Sequence, residues 1–259
     1  IGKLFIAAMI PAVVALAFYV AAVWIQVRLR PSLGPKGEKA SWGDVLHALR
    51  GAWGVTLLFG IVIGGIYGGV FTATEAAAVG AGAAFIFAVV RRKRATGRAL
   101  MEVLGDTAAN TAMIYMLVIG ALMFSFFIGV TQAPNVIVEW VGHQDMAPIA
   151  VIFLLLLLYI FLGGIMDPIT MLLVTVPVVV PLVDQLGYDL IWWGIMTVMV
   201  CEVAMITPPL GVNVFVIKTV AGDVPVRTVF AGVMPFVAAD MVRLIVLALF
   251  PILTLWLPR

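Results

Sequence analysis

Gly163-Gly164-Ile165-Met166-Asp167-Pro168 and Thr207-Pro208-Pro209-Leu210-Gly211 interrupt sequence that is otherwise unbroken and apolar. The first separates Ile149–Leu162 from Ile169–Val183, and the second separates Leu190–Ile206 from Val212–Ala221. Glycine tolerates the left-handed conformation that closes a helix, so Gly163 and Gly164 are expected to end one arm. Asp167 suits an N-cap and Pro168 the first helical position, so a second arm is expected to start there. In the other stretch, Pro208 and Pro209 lack an N–H and so release the carbonyls four residues earlier, those of Ala204 and Met205. Thr207 adds a hydroxyl oxygen. Oxygens converging on one unwound turn suit a hard cation; a merely kinked helix is the alternative. Carbonyl ends of half-helices attract Na⁺ and amide ends attract carboxylates. An ordinary loop between two helices would use the same Gly and Asp-Pro chemistry.

These breaks matter because of what surrounds them. Of 259 residues, 64% are hydrophobic and 11% are charged, against about 25% charged in a soluble domain. The excess runs the whole length, in repeated stretches of about 20 apolar residues, each enough to cross a hydrocarbon core of roughly 30 Å. The expected fold class is an all-α polytopic membrane protein, with transmembrane helices, a re-entrant helical hairpin and a discontinuous helix. The single cysteine, Cys201, and the two histidines, His47 and His143, provide neither a disulfide framework nor a transition-metal site. No catalytic triad, zinc motif or phosphate-binding loop occurs, so the chain is not expected to be an enzyme. It begins at Ile1 with no secretory signal before the first apolar segment, and reads as part of a longer polypeptide.

Four regions follow. Residues 1–50 hold a transmembrane helix, Leu4–Val27, a basic cytoplasmic loop and a short interfacial helix, Trp42–Arg50. Residues 51–146 hold crossings at Ala52–Phe71, Ala76–Val90 and Thr107–Val130. A basic cytoplasmic loop at 91–98 and a surface helix, Arg98–Asp106, lie between them, and a polar stretch, Thr131–Pro148, follows. Residues 147–222 hold the hairpin and the broken helix; 223–259 hold a last crossing, Val229–Leu257. Twelve of the 15 Lys and Arg residues, including Lys36, Lys39 and Arg91–Arg94, fall on one side, which is therefore cytoplasmic. Glu139, Asp145, Asp184 and Asp189 then face outward. Both flanks of Gly163–Pro168 lack Lys and Arg, and both arms are short. The economical solution is a hairpin that enters from outside and turns near the midplane; two complete short crossings are the alternative. Non-helical backbone at that depth requires protein or a watery cavity around it.

Two acidic residues stand apart. In Phe71-Thr72-Ala73-Thr74-Glu75, Thr74 can cap a helix and Glu75 sits in its first turn; capping is the favoured role and substrate contact the other. Glu202 lies within an apolar segment, one turn before the second break, and either shapes an ion site or belongs to a structural ion pair. Asp240 and Arg243, three apart, are expected to pair with each other. Ile6–Pro11 and Phe230–Pro235 are weakly similar, as in transporters built from duplicated halves.

Gly64 through Ala78, Gly163–Pro168 with Pro177 and Pro181, and Glu202 through Phe215 together resemble the large membrane subunit of tripartite ATP-independent periplasmic (TRAP) transporters. Ala73 stands where the family often has Pro, and Ala204 where Gly is common. The resemblance implies a Na⁺-coupled elevator transporter of organic acids such as dicarboxylates or sialic acids, in the bacterial inner membrane. Its partners would be a periplasmic substrate-binding protein, a small membrane subunit and the N-terminal half of the same large subunit, since this chain resembles the second of two inverted halves. The cofactor would be Na⁺, held by Gly163, Gly164, Ala204, Met205 and Thr207. Asp167, Pro168, Pro208 and Pro209 would lie near substrate. Another sodium–anion symporter with paired hairpins is the nearest alternative. An intramembrane enzyme using Asp167 with Glu202, or a passive channel, is more distant.

Overall fold

A computed structural model describes residues 2–34, 41–91, 97–144, 146–208, 211–222 and 224–258. Lys36, Lys39, Arg92, Lys93, Arg94, Asp145 and Pro209, named above, lie outside them. No strand occurs among the described residues. The helices are α1 (Gly2–Ala7), α2 (Met9–Leu29), α3 (Trp42–Tyr67), α4 (Ala73–Arg91), α5 (Gly97–Thr131), α6 (Ala133–Gly142), α7 (Pro148–Gly163), α8 (Pro168–Gln185), α9 (Leu190–Ile206), α10 (Val212–Ala221), α11 (Val226–Leu249) and α12 (Ile252–Leu255). Counting α1 and α2 as one span, six helices among the described residues are long and apolar enough to cross a membrane. This is the expected all-α polytopic membrane protein.

Several boundaries differ from expectation. Trp42–Arg50 is not a separate interfacial helix but the first turns of α3. Gly51, which follows it, costs about 1 kcal/mol in a helix and does not break one. Likewise Arg98–Asp106 continues into α5, which runs 35 residues without interruption. Thr107, at the expected junction, donates its hydroxyl to the Val103 carbonyl at 2.7 Å, satisfying itself inside the helix. The polar stretch after Thr131 contains α6, introduced by Gln132 in the left-handed region at φ 55°. The last crossing ends at Leu249, because Pro251 follows and α12 starts anew.

The chain divides into two compact units, Ile1–Ile6 with Gly34–Met113, and Ala7–Leu33 with Ile114–Arg259. In the first, α3 and α4 pack as a helical pair, with Trp53 and Phe87 edge to face at 5.4 Å. The Tyr67 hydroxyl donates to the Phe5 carbonyl at 3.1 Å. The α4 start is capped by Thr72, not Thr74: the Thr72 hydroxyl accepts from the Glu75 N–H, and Glu75 accepts from the Thr72 N–H at 2.8 Å. The spacing explains the correction, since a reciprocal capping box needs the acid three residues after the cap.

The second unit is built around α9. That helix is apolar apart from Thr197 and Glu202, and most of its surface is buried. Helices α7, α8, α11 and α12 contact it. Trp192 is fully buried, stacks on Tyr188 at 4.9 Å and donates its indole N–H to the Leu247 carbonyl at 3.1 Å. Tyr159 of α7 meets Trp193 edge to face at 5.8 Å. Helices α2 and α11 pack against each other; the stretch Ile6–Pro11 spans the junction of α1 and α2, and Phe230–Pro235 lies in α11. Replacing Trp192 by Ala is expected to lower unfolding stability by about 3–5 kcal/mol, whereas Leu157→Ala, exposed on α7, should change it little. Denaturant titration of the purified protein in detergent measures the difference.

Candidate functional site

Helix α7 ends at Gly163 and α9 ends at Ile206, and the two ends meet. A Cβ built on Gly163 would lie 2.6 Å from the Ala204 Cβ and 3.4 Å from the Met171 sulfur. No side chain fits there. The sequence expectation that Gly163 and Gly164 supply left-handed backbone is corrected: Gly164 keeps right-handed helical dihedrals, φ −70° and ψ −15°. What position 163 requires is close approach between helices.

The backbone of the hairpin tip is only partly used. Gly164 donates to the Ile160 carbonyl at 3.0 Å, while Ile165 and Met166 both turn back to the Leu162 carbonyl. The carbonyls of Phe161, Gly163 and Gly164 accept no backbone bond among those described outside the helices. Asp167 caps α8: its carboxylate accepts from the Thr170 N–H at 2.9 Å and the Thr170 hydroxyl at 2.8 Å. Pro168 takes the first helical position. With 18 residues, α8 is longer than the arm read from sequence.

On the other side of the contact, Thr207 leaves the helix with extended backbone, φ −96° and ψ 140°. Its hydroxyl donates to the Val203 carbonyl at 2.6 Å, so its oxygen lone pairs point elsewhere. The Ala204 carbonyl, denied a donor by Pro208, accepts instead from the Thr207 N–H at 3.2 Å. It is engaged rather than fully released, with one lone pair in use. The Met205 carbonyl has no N–H to accept from at Pro209. Pro208 is exposed at the break. Gly211, left-handed at φ 50°, opens α10 without any side-chain cap, so the first amides of α10 are uncovered by side chains.

Glu202 reaches across to α11. Its carboxylate lies 3.4 Å from the Arg243 Nη2, which is also 3.0 Å from the Asp240 carboxylate. Asp240 and Arg243 are buried, and the Tyr19 hydroxyl of α2 donates to the second Asp240 oxygen at 2.9 Å. The expected Asp240–Arg243 pair is present, and Glu202 joins it. One cation thus serves two carboxylates, tying the last turn of α9 to α11 and α2. A cavity of about 520 Å³ borders this network, lined by Tyr19, Glu202, Met205, Asn213 and Arg243 among others. Glu75 belongs to the first unit, where it makes the capping bonds given above. Among the described residues no group of three or more His, Cys, Asp or Glu comes together.

Sequence reading did not assign Met171 or Tyr19. Met171 carries no local signal, because an apolar residue on an apolar helix looks like any other. Tyr19 is a polar side chain within an apolar span, and that was a usable one.

The family profile for the tripartite ATP-independent periplasmic transporter, DctM component, matches residues 1–253. The sialic acid TRAP transporter large permease protein SiaM of Vibrio cholerae is 32% identical over 260 residues, covering 100% of this chain and 60% of that protein. The C4-dicarboxylate TRAP transporter large permease protein DctM of Pseudomonas aeruginosa is 31% identical over 262 residues, covering 100% and 60%. Its counterpart in Rhodobacter capsulatus is 32% identical over 261 residues, covering 100% and 58%. The chain thus spans about three-fifths of the length of these relatives. Paired with helices that cross a membrane several times, these matches place the chain in the DctM-component family of tripartite ATP-independent periplasmic transporters, as a multi-pass membrane protein.

Proposed function

We propose that this chain forms the sodium-binding and substrate-contacting portion of a secondary transporter that takes up an organic acid across the bacterial inner membrane. The meeting of two helix ends at Gly163 and Ala204 carries this reading. It would bring together neutral oxygens of the kind a hard monovalent cation prefers: the carbonyls of Gly163, Gly164, Ala204 and Met205, and the Thr207 hydroxyl. The Thr207 proton is directed to Val203, which leaves its oxygen available. Bound Na⁺ would supply positive charge at this turn. The uncapped amides at the start of α10 favour a carboxylate nearby. Asp167, Pro168, Pro208 and Pro209 would border that substrate, with Asp167 spent on holding the α8 start rather than on the anion.

Dicarboxylates and sialic acid, named for the relatives, both carry the carboxylate such a site would take. Transport would follow an elevator motion, with α7 and α8 as a re-entrant hairpin whose tip opens access from outside. A periplasmic binding protein would deliver substrate, and a small membrane subunit and an N-terminal half of the permease would complete the pathway. An enzyme using Asp167 and Glu202 is not favoured, since Thr170 engages one and Arg243 the other.

Uptake reconstituted with the cognate binding protein should require an inward Na⁺ gradient. Equal uptake with and without it would remove the coupling. Gly163→Ala should raise the Na⁺ concentration for half-maximal uptake about tenfold, from overpacking of 1–3 kcal/mol against Ala204. Ala204→Gly in the same protein should restore most of the loss, and a double-mutant cycle with no coupling would separate the two positions. Thr207→Val should weaken Na⁺ activation, and Thr207→Ser should retain it; identical behaviour of both variants would exclude the hydroxyl as a ligand.

A further inference from the structure

Helices α2 and α11 pair along much of their length, and a groove follows their junction. One part, about 630 Å³, is lined by Gln26, Leu29, Arg30, Thr228, Gly232 and Pro235 among others. A second part, about 490 Å³, shares Gln26, Leu29 and Pro235 and continues to Phe18 and Val242. The shared residues make the two parts one groove. Its polar groups are confined to one end: Arg30, Gln26 and Thr228. Beyond Gln26 the lining is wholly apolar. No acidic side chain lines it among the described residues.

The dimensions match one leaflet. From Phe18 to Leu29 the helix rises roughly 16 Å, about half of the ~30 Å hydrocarbon core. Arg30 stands just beyond the end of α2 and Thr228 in the first turn of α11, so the polar end sits where the leaflet meets water. Trp24 supports that level: the Arg28 guanidinium lies over its ring at 5.0 Å, an aromatic–basic pair typical of the interface. Pro235 withholds an N–H from the Ala231 carbonyl, which leaves an acceptor at the polar end for a headgroup hydroxyl.

We propose that this groove binds one anionic phospholipid. Its phosphate pairs with Arg30, Gln26 and Thr228 donate to the headgroup, and one acyl chain lies between α2 and α11. The charge selects the occupant: a basic side chain at the mouth of an apolar, leaflet-deep groove complements a lipid with net negative charge. The inference does not depend on what the protein transports or on sodium.

Native mass spectrometry of the intact permease, equilibrated with phosphatidylglycerol or phosphatidylcholine, tests it. The wild type should retain one phosphatidylglycerol about fivefold in preference to phosphatidylcholine, the scale of one basic residue at an anionic surface. Arg30→Gln should abolish the preference while both lipids still bind. Ala238→Leu, which fills the groove, should lower retention of both. Equal retention by the wild type, or an unchanged preference in Arg30→Gln, would overturn the proposal. So would a photo-crosslinker at position 22 that captures another segment of the permease, which would mean that protein covers the groove. The wild-type measurement decides even if a variant fails to fold.

Discussion

A helix that ends within a bilayer leaves carbonyls and amides that lipid cannot satisfy, each costing several kcal/mol if left bare. In the proposed re-entrant arrangement, the second unit of this chain is organised by that constraint. Two helices, α7 and α9, terminate in apolar sequence, and α8 and α10 begin beside them. The ends are placed against each other, and the contact is close enough that only glycine fits at position 163. Protein thus shields the exposed backbone while leaving several oxygens without a hydrogen-bond donor. Stability and the proposed binding site would come from the same arrangement.

The rest of the unit holds α9 in position. Its aromatic and aliphatic side chains are buried against α7, α8, α11 and α12, and its last turn is tethered through Glu202 to Arg243. Charges at such depth are tolerated when paired, and removing one partner strands the others. Arg243 is shared between Asp240 and Glu202, beside the cavity next to the break.

Much of this was legible in the sequence. The bounds of α9 and α10 matched the apolar runs to the residue, because Thr207 to Gly211 stops a helix by chemistry that needs no tertiary context. Asp167 and Pro168 likewise announced the start of α8. Glycine was read at the right place for the wrong reason: Gly163 meets a neighbour from a distant part of the chain, which no local pattern encodes. The long continuity of α3 and α5 was missed because their polar ends, Trp42–Arg50 and Arg98–Asp106, were read as separate short helices, whereas a change of composition alone does not break a helix. The link from Glu202 to Arg243 spans two helices and emerged only from packing. Thr72 was overlooked as a cap although its three-residue spacing to Glu75 was visible.

The central claim is that the two helix ends form one cation site. A high-resolution structure of the intact permease in sodium tests it most directly. The account predicts a bound ion between the Gly163 and Ala204 turns, with Thr207 oxygen among its ligands, and its loss when sodium is replaced by choline. Unchanged density in choline, or helix ends that touch with no ion between them in saturating sodium, would contradict it.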